Sequence, residues 1–229
     1  MNVDPEANAE VGGSYPLRIF QASSNLLAHL LIGVVVGTCL HFSFSNGLPL
    51  GATTLHIVLC AIGYQLLMAE AILILSPDNA WSKVLTFRDK RRAHTCLQIS
   101  GSALAIAGSV VKMLDKAQNF NTLHGQFGLA AMVFTTVSLV NGVTSLYAFE
   151  WRAFCPGNIS KITHILFGSF AFICASICLC YGIDKNFFRI WTGQAFADTL
   201  IAFTAIFTVY AVIAPFLNCF KKTVRFVKK

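Results

Sequence analysis

Residues 52–75 read ATTLHIVLCAIGYQLLMAEAILIL, and this stretch decides the class of fold. It carries only two groups that can be charged near neutral pH, His56 and Glu70. As a helix it is long enough to cross a hydrocarbon core of about 30 Å, which takes roughly 20 apolar residues. Five further stretches of the same kind surround it, at about 17–40, 93–111, 123–147, 163–181 and 195–217. With 55% hydrophobic and 12% charged residues in 229, the chain is too apolar for a soluble domain of its length. The sequence therefore predicts an all-α integral membrane protein with six transmembrane helices, spans two to five forming a four-helix bundle.

Short loops and the lack of a long polar insertion give one six-helix domain over 17–217, with an N-terminal tail, 1–16, and a basic tail, 218–229. The N-terminal tail is acidic (Asp4, Glu6, Glu10) and lacks the basic region of a secretory signal, so the first stretch is kept as a span. Turn signals at Ser76-Pro77-Asp78-Asn79 and Cys155-Pro156-Gly157-Asn158 close the second span and precede the fifth. The net charge of +7 does not suggest nucleic acid, because it follows alternate loops rather than one face of a folded domain. Thirteen of the 17 cationic side chains fall on one side: Arg18, Lys83, Arg88, Lys90, Arg91, Arg92, Arg152, Lys161 and the tail's Lys221, Lys222, Arg225, Lys228 and Lys229. The positive-inside rule then puts both termini in the cytosol. Lys112, Lys116, Lys185 and Arg189 fall on the outer side, which on this reading lacks a comparable cationic cluster.

Eight cysteines lie mostly inside spans, with no C-x-x-C-H for covalent haem attachment and no zinc-type pair. A thiol in lipid behaves as a small hydrophobe, so Cys174 and Cys178 read as packing and no disulfide is expected. The histidines are different. His56, His94, His124 and His164 stand near the first residues of spans two to five. Chain direction places His56 and His124 near the outer face and His94 and His164 near the inner one. An imidazole in a membrane needs a partner, and paired histidines on facing helices are what a haem iron requires for two axial ligands. Two non-covalent b-type haems are therefore expected, with His56 and His124 on the outer one and His94 and His164 on the inner.

Seven residues make about two helical turns, and the residues at that offset from each histidine are small: Gly63, Gly101, Ala131 and Ala171. Such gaps suit the edge of a flat macrocycle, or ordinary helix contact. At fourteen residues, on nearly the same face and at the other side of the membrane, stand Glu70, Gly108, Ser138 and Cys178. Fourteen residues rise about 21 Å, so the two irons are expected on the order of 20 Å apart, a distance suited to electron tunnelling. With both axial positions filled, electron transfer is favoured over oxygen activation.

Other residues are candidates for substrate or haem-propionate contact. Lys90 and Arg91 belong to a basic run just before His94, and Lys161 precedes His164 by three residues. The plainer reading of that run is topology signal and lipid contact. Glu70, a carboxylate inside a span, is a candidate to bind a donor or to pair with Arg91. Asn119 and Phe120 precede His124 on the outer side, where Asn121 or Thr122 can also act as a simple helix cap. His29 lacks a depth-matched partner and reads as packing, His41 reads as exposed, and Asp198 as an interfacial cap.

These residues carry a resemblance. Leu67-Met68-Ala69-Glu70-Ala71, Leu123-His124-Gly125-Gln126, and His94 followed by Leu97-Gln98 resemble the cytochrome b561 family of transmembrane di-haem oxidoreductases, most closely its short branch of cytochrome b561 domain-containing proteins. The resemblance implies pairing of the second-span histidine with the fourth and of the third with the fifth. It implies an ascorbate-dependent monodehydroascorbate or ferric reductase: cytosolic ascorbate as donor, monodehydroascorbate or Fe3+ as acceptor on the opposite side, membrane lipid around the chain, and a homodimer as an open arrangement. The branch resembled implies an endoplasmic reticulum or vesicle membrane. Better-known members carry an arginine-bearing Leu-Val-Tyr-Arg-type stretch where this chain has Ala71-Ile72-Leu73-Ile74-Leu75, and Leu-His-Ser-Trp where it has Leu123-His124-Gly125-Gln126. A competing class is a six-span proton-coupled transporter using the histidines and Glu70 as a relay. A third is a membrane scaffold with no catalytic role. The transporter is disfavoured by two depth layers of histidine in place of one midplane site.

Overall fold

The computed structural model describes residues 15–45, 47–77, 79–147 and 157–227. Six of its helices are long and apolar enough to cross a membrane. In chain order they are α1 (Tyr15–Ser45), α2 (Ala52–Leu73), α3 (Phe87–Asp115), α4 (Leu123–Leu146), α5 (Gly157–Ile183) and, after a short α6 (Asn186–Thr192), α7 (Gln194–Val227). Because six spans alternate in direction, α1 begins and α7 ends at the same face, the terminal face; the opposite one is the distal face. Arg152, Lys228, Lys229, Asp78 and the Cys155-Pro156 turn lie outside the described residues.

Several helices exceed the stretches read from hydropathy, each for a local reason. Pro16 sits in the first turn of α1, where its missing N–H has no helical partner to lose, so the helix takes in Tyr15 and Pro16 from the expected tail. Thr86 caps α3 by accepting from the Asp89 amide at 3.3 Å, while its hydroxyl donates to the Asp89 carboxylate at 2.6 Å. That reciprocal cap starts the helix at Phe87 and makes the basic run Arg88–Arg92 helical. In the same way Thr122 accepts from the Gly125 amide at 3.3 Å and opens α4. At the other end α7 runs on through Lys221 and Lys222, so residues 218–227 prolong the sixth span.

The surface pattern is that of a protein in lipid. Large apolar side chains such as Leu26, Leu30, Val133, Val140, Ile206 and Val209 are exposed on the outer faces of the spans. The buried apolar cluster lies where α1 and α7 pack on each other and on α2 and α5, with Ile32, Val35, Phe172, Leu200 and Phe207 essentially closed off.

Spans α2 to α5 form two antiparallel hairpins. Within α2/α3 the backbones approach so closely that a Cβ on Gly63 would stand 2.6 Å from the Gly101 carbonyl, and one on Gly101 2.8 Å from the Gly63 carbonyl. Within α4/α5 a Cβ on Gly168 would meet the Ser138 hydroxyl at 3.0 Å, and one on Gly128 the Cys178 thiol at 3.3 Å. Gly63 and Gly101, expected as gaps for a macrocycle edge, are thus points of helix contact, the arrangement small residues favour in membranes. Between the hairpins, polar side chains meet at mid-depth: the Thr135 hydroxyl donates to Tyr64 Oη at 3.3 Å and the Ser176 hydroxyl to Gln65 Oε1 at 3.5 Å. All four are buried.

One span departs from α-helical pitch over about two turns. Over Ala61–Met68 the α2 backbone widens to π-helical bonding. A π segment takes up extra residues for the same rise and turns everything beyond it relative to what precedes it.

Candidate functional site

The four span-opening histidines meet in the two pairs that depth predicts. The rings of His56 and His124 have centroids 6.0 Å apart, at the distal end of the bundle, and those of His94 and His164 are 6.1 Å apart at the terminal end. In both pairs the ring planes are nearly perpendicular, at 86° and 87°.

Each ring is oriented by its own hairpin rather than by its partner ring. His56 Nδ1 donates to the Gly108 carbonyl at 2.9 Å, and His94 Nδ1 to the Ala71 carbonyl at 2.6 Å. His124 Nδ1 donates to the Cys178 carbonyl at 2.8 Å, and His164 Nδ1 to the Ser138 carbonyl at 2.9 Å. The pattern is reciprocal, since each helix presents one histidine and, about two-thirds of a span further on, one carbonyl for its neighbour's histidine. A carbonyl only accepts, so it fixes the proton on Nδ1 and leaves Nε2 as the free lone pair.

That geometry fits a metal between the rings. Two imidazoles bound through Nε2 at about 2.0 Å, with ring centres about 1.1 Å behind the nitrogen, stand about 6.2 Å apart. Ligands whose far N–H is held by a backbone carbonyl are also the usual way in which orientation and basicity are set from outside the immediate ligand set. The residues present therefore suit bis-histidine ligation of a haem iron at both ends.

Three of the four acceptor carbonyls, Gly108, Ser138 and Cys178, lie fourteen residues past their own helix's histidine, as sequence spacing picks out. On α2 the acceptor is Ala71, at fifteen, and not Glu70. The π segment between His56 and Ala71 accounts for the slip, since its wider turn delays the return to the histidine face. Glu70 is turned away as a result. Its Oε1 accepts from His29 Nδ1 on α1 at 2.6 Å and its Oε2 from Trp81 Nε1 at 3.3 Å. The expected pairing of Glu70 with Arg91 is thereby replaced, and His29, read as a packing residue, is packed through a hydrogen bond to Glu70.

The distal pair opens on a cavity of about 340 Å³ lined by His56, His124, Ala131, Asn119 and Phe120, with Lys112, Lys116 and Lys185 also among its walls. Three lysines at this site correct the reading that the outer side lacks a cationic cluster. They come from the end of α3 and the α5–α6 turn, at the depth of His56 and His124, a signal that their positions in the sequence could have given. Lys112 is held by the Thr53 hydroxyl at 2.8 Å and Asp115 at 2.5 Å. Lys185 lies on the cavity wall near His124.

Asn119 and Phe120 form the turn that shapes this cavity. Asn119 Nδ2 donates to the Met113 carbonyl at 3.0 Å and Gln126 Nε2 to the Phe120 carbonyl at 3.3 Å. Phe120 has φ +61°, a conformation that costs a non-glycine residue roughly 1–2 kcal/mol. Gly125 leaves room for it, because a Cβ there would stand 3.1 Å from Phe120 Cα. Glycine and glutamine after His124 therefore have a local task.

At the terminal end Arg91 is exposed one turn before His94, Lys161 is exposed one turn before His164, and Lys90 is half-buried. Cys60 and Cys178 lie against Nδ1 of His56 and His124, at 3.5 and 3.4 Å, and every described cysteine is free. His41 is exposed and lies against Trp191, and Asp198 pairs with Arg189 at 2.7 Å rather than capping α7. The two carboxylates around Arg189, Asp198 and Asp184, raise its affinity for its proton further.

Comparison with known proteins agrees with this site. The model of the eukaryotic cytochrome b561 family matches residues 55–189, a segment that contains all four histidines. The chain belongs to the cytochrome b561 family. The human transmembrane reductase CYB561D2 is 26% identical over 182 residues, covering 76% of this chain and 79% of that protein. The mouse protein of the same name is 26% identical over 185 residues, 78% of each, and the bovine one is 31% identical over 96 residues, covering 40% and 43%. No solved structure matches. Cytochrome b561 proteins bind haem b, and membership places this chain with transmembrane electron-transfer oxidoreductases rather than with six-span carriers.

Proposed function

We propose that the chain holds two non-covalent b haems, with His56 and His124 as axial ligands of one and His94 and His164 of the other, and passes electrons across the membrane from cytosolic ascorbate to monodehydroascorbate or ferric iron. The observation that carries this reading is the reciprocal donation of all four Nδ1–H groups to backbone carbonyls, which frees two facing pairs of Nε2 atoms. Bound haem supplies a one-electron Fe3+/Fe2+ couple at each end. The chain's own residues do the rest. Its paired histidines would hold the iron from both sides and so would leave oxygen no open position. Lys112, Lys116 and Lys185 distally, and Lys90, Arg91 and Lys161 at the terminal face, are the cations suited to propionates or to anionic substrates. Tyr64, Gln65, Thr135 and Ser176, buried between the two ends, would lie along the path the electron takes.

In this reading the terminal face is cytosolic, by the excess of lysine and arginine on that side, and the six-helix unit sits in an endoplasmic reticulum or vesicle membrane. Ascorbate and its one-electron oxidised form are anions, which the cations at both ends suit. Pyridine haemochrome analysis of the purified protein tests the cofactor: two haems per chain are expected, and none would end the reading. Stopped-flow reduction of proteoliposomes with ascorbate on one side tests donor and direction. Perpendicular imidazole planes further predict a strongly anisotropic low-spin ferric electron-paramagnetic-resonance signal from both haems.

A further inference from the structure

His29 and Glu70 lie outside both histidine pairs, yet they adjoin the terminal one through the backbone. Glu70 immediately precedes Ala71, whose carbonyl accepts from His94 Nδ1 at 2.6 Å, the shortest of the four orienting bonds. The residues that precede the other three acceptors, Ala107, Val137 and Ile177, cannot ionise. An ionisable couple therefore backs one haem ligand of the four.

The couple is also short of partners. His29 gives its Nδ1–H to Glu70, and its Nε2 is buried with no hydrogen-bond partner. Asn79, 0% exposed and beside the His29 ring, leaves both amide atoms unpaired, and so does Asn25, 1% exposed and one turn before His29 on α1. Buried polar atoms are rarely left without partners, because each forgoes the hydrogen bonds that water would give it. A proton on Nε2 turns that atom into a donor with the Asn79 carbonyl oxygen in reach, and buried water can serve the rest.

We propose that His29 Nε2 is a redox-linked proton site of the haem held by His94 and His164, taking up a proton when that haem is reduced and releasing it on reoxidation. The proposal rests on the reading that haem is bound there. A neutral imidazole beside a carboxylate carries one negative charge, and an imidazolium beside it carries none, so the proton offsets the charge of the arriving electron. The balance is one electron and one proton. An ascorbate-type donor anion loses both; the electron reduces Fe3+ to Fe2+, and a proton from the donor or from the adjoining water forms the N–H bond on Nε2. Linkage makes the effect reciprocal: the factor by which reduction raises proton affinity is the factor by which protonation favours reduction.

Toward the terminal face, the other charged side chains described on elements packed around the pair are Arg18 of α1, Lys83 of the α2–α3 turn, Arg88, Asp89, Lys90, Arg91 and Arg92 of α3, and Lys221 and Lys222 of α7. Among the described residues none of these bonds to His29 or Glu70; Asp89 is engaged by Thr86 and Arg92.

Spectroelectrochemical titration of the full-length protein in lipid nanodiscs, at a series of pH values, tests this. The His124→Ala variant isolates the terminal haem. In it, the midpoint potential should fall as pH rises, and His29→Gln should abolish that dependence while the haem stays bound. Glu70→Gln should lower the proton affinity of the site at least tenfold and move the inflection to lower pH. Should Glu70→Gln misfold, His29→Gln decides alone, because α1 lies outside the haem-binding bundle. A flat profile in the parent protein, or a pH dependence that survives His29→Gln, overturns the proposal. A chain without haem would overturn the functional reading itself, and the haemochrome count separates the two failures.

Discussion

The distal and terminal ends of the bundle use one backbone scheme and surround it with different chemistry. At the distal end thiols from Cys60 and Cys178 flank the two Nδ1 atoms, and a cavity with three lysines opens beside the rings. At the terminal end the Ser138 hydroxyl stands 3.2 Å from His164 Nδ1, and the His29–Glu70 pair backs His94. With haem bound as proposed, near-identical ring spacing with unlike surroundings would let one fold ligate twice and still set two different potentials, since the field around a haem tunes it as much as its ligands do.

The strongest way to break the comparison is to remove a ligand. His56→Ala or His124→Ala should cost the distal haem and spare the terminal one, and His94→Ala or His164→Ala should do the reverse, with haemochrome counts falling from two to one. Loss of the same spectral component in His56→Ala and His94→Ala would show that the pairs are wrongly drawn. A substitution in the shared frame should instead strike both ends. In Gly63→Ala the new Cβ would lie 2.6 Å from the Gly101 carbonyl and 2.7 Å from the Ala105 amide, backbone atoms that cannot rotate aside. We expect destabilisation of about 1–3 kcal/mol and joint weakening of both sites, read as a lowered thermal midpoint of the haem absorption. Gly33→Ala, whose Cβ meets nothing within 4 Å, is the matching control and should change nothing.

Smaller effects sharpen the contrast between the faces. Lys90→Glu with Arg91→Glu should slow reduction by ascorbate about tenfold at low salt and flatten its salt dependence, leaving both haems bound. Lys116→Glu with Lys185→Glu should do the same to oxidation by an anionic acceptor at the distal face. Rates in proteoliposomes across ionic strengths measure both, and unchanged slopes would return those cations to a topological role. The smallest expected change is Ser138→Ala, which removes a hydroxyl beside His164 while the orienting carbonyl remains. A shift worth about 0.5–1 kcal/mol, confined to the terminal haem, should appear in redox titration.

Much of this is legible in the sequence, because the bilayer makes periodicity and charge placement unusually informative. The spans, the histidine depths and their pairing all follow from where His56, His94, His124 and His164 sit along helices of alternating direction. Fourteen-residue spacing also singles out Gly108, Ser138 and Cys178, though only as positions on the histidine face and not as hydrogen-bond acceptors. The π segment escapes, since Ala61–Met68 has no proline or paired glycine to announce a change of helical pitch, and with it escapes the rotation of Glu70 toward His29. The lysines of the distal cavity are each visible, but their convergence depends on how the bundle brings the α3 end and the α5–α6 turn to the walls of one cavity. The helix start at Phe87 is hidden for another reason: hydropathy marks where lipid begins, while the Thr86–Asp89 cap marks where hydrogen bonding does.

That the rings hang from main-chain carbonyls has a consequence for how such a protein can drift over generations. An acceptor that every amino acid possesses cannot be deleted by exchanging one side chain for another, so positions 71, 138 and 178 keep their task through changes of identity, while at Gly108 a Cβ would stand 2.8 Å from that of Leu59. Selection at these sites acts on bulk and on backbone pitch, and a gain or loss of one residue in α2 would be far more damaging than any single replacement there. Relatives can thus diverge widely around four histidines and keep both sites in register.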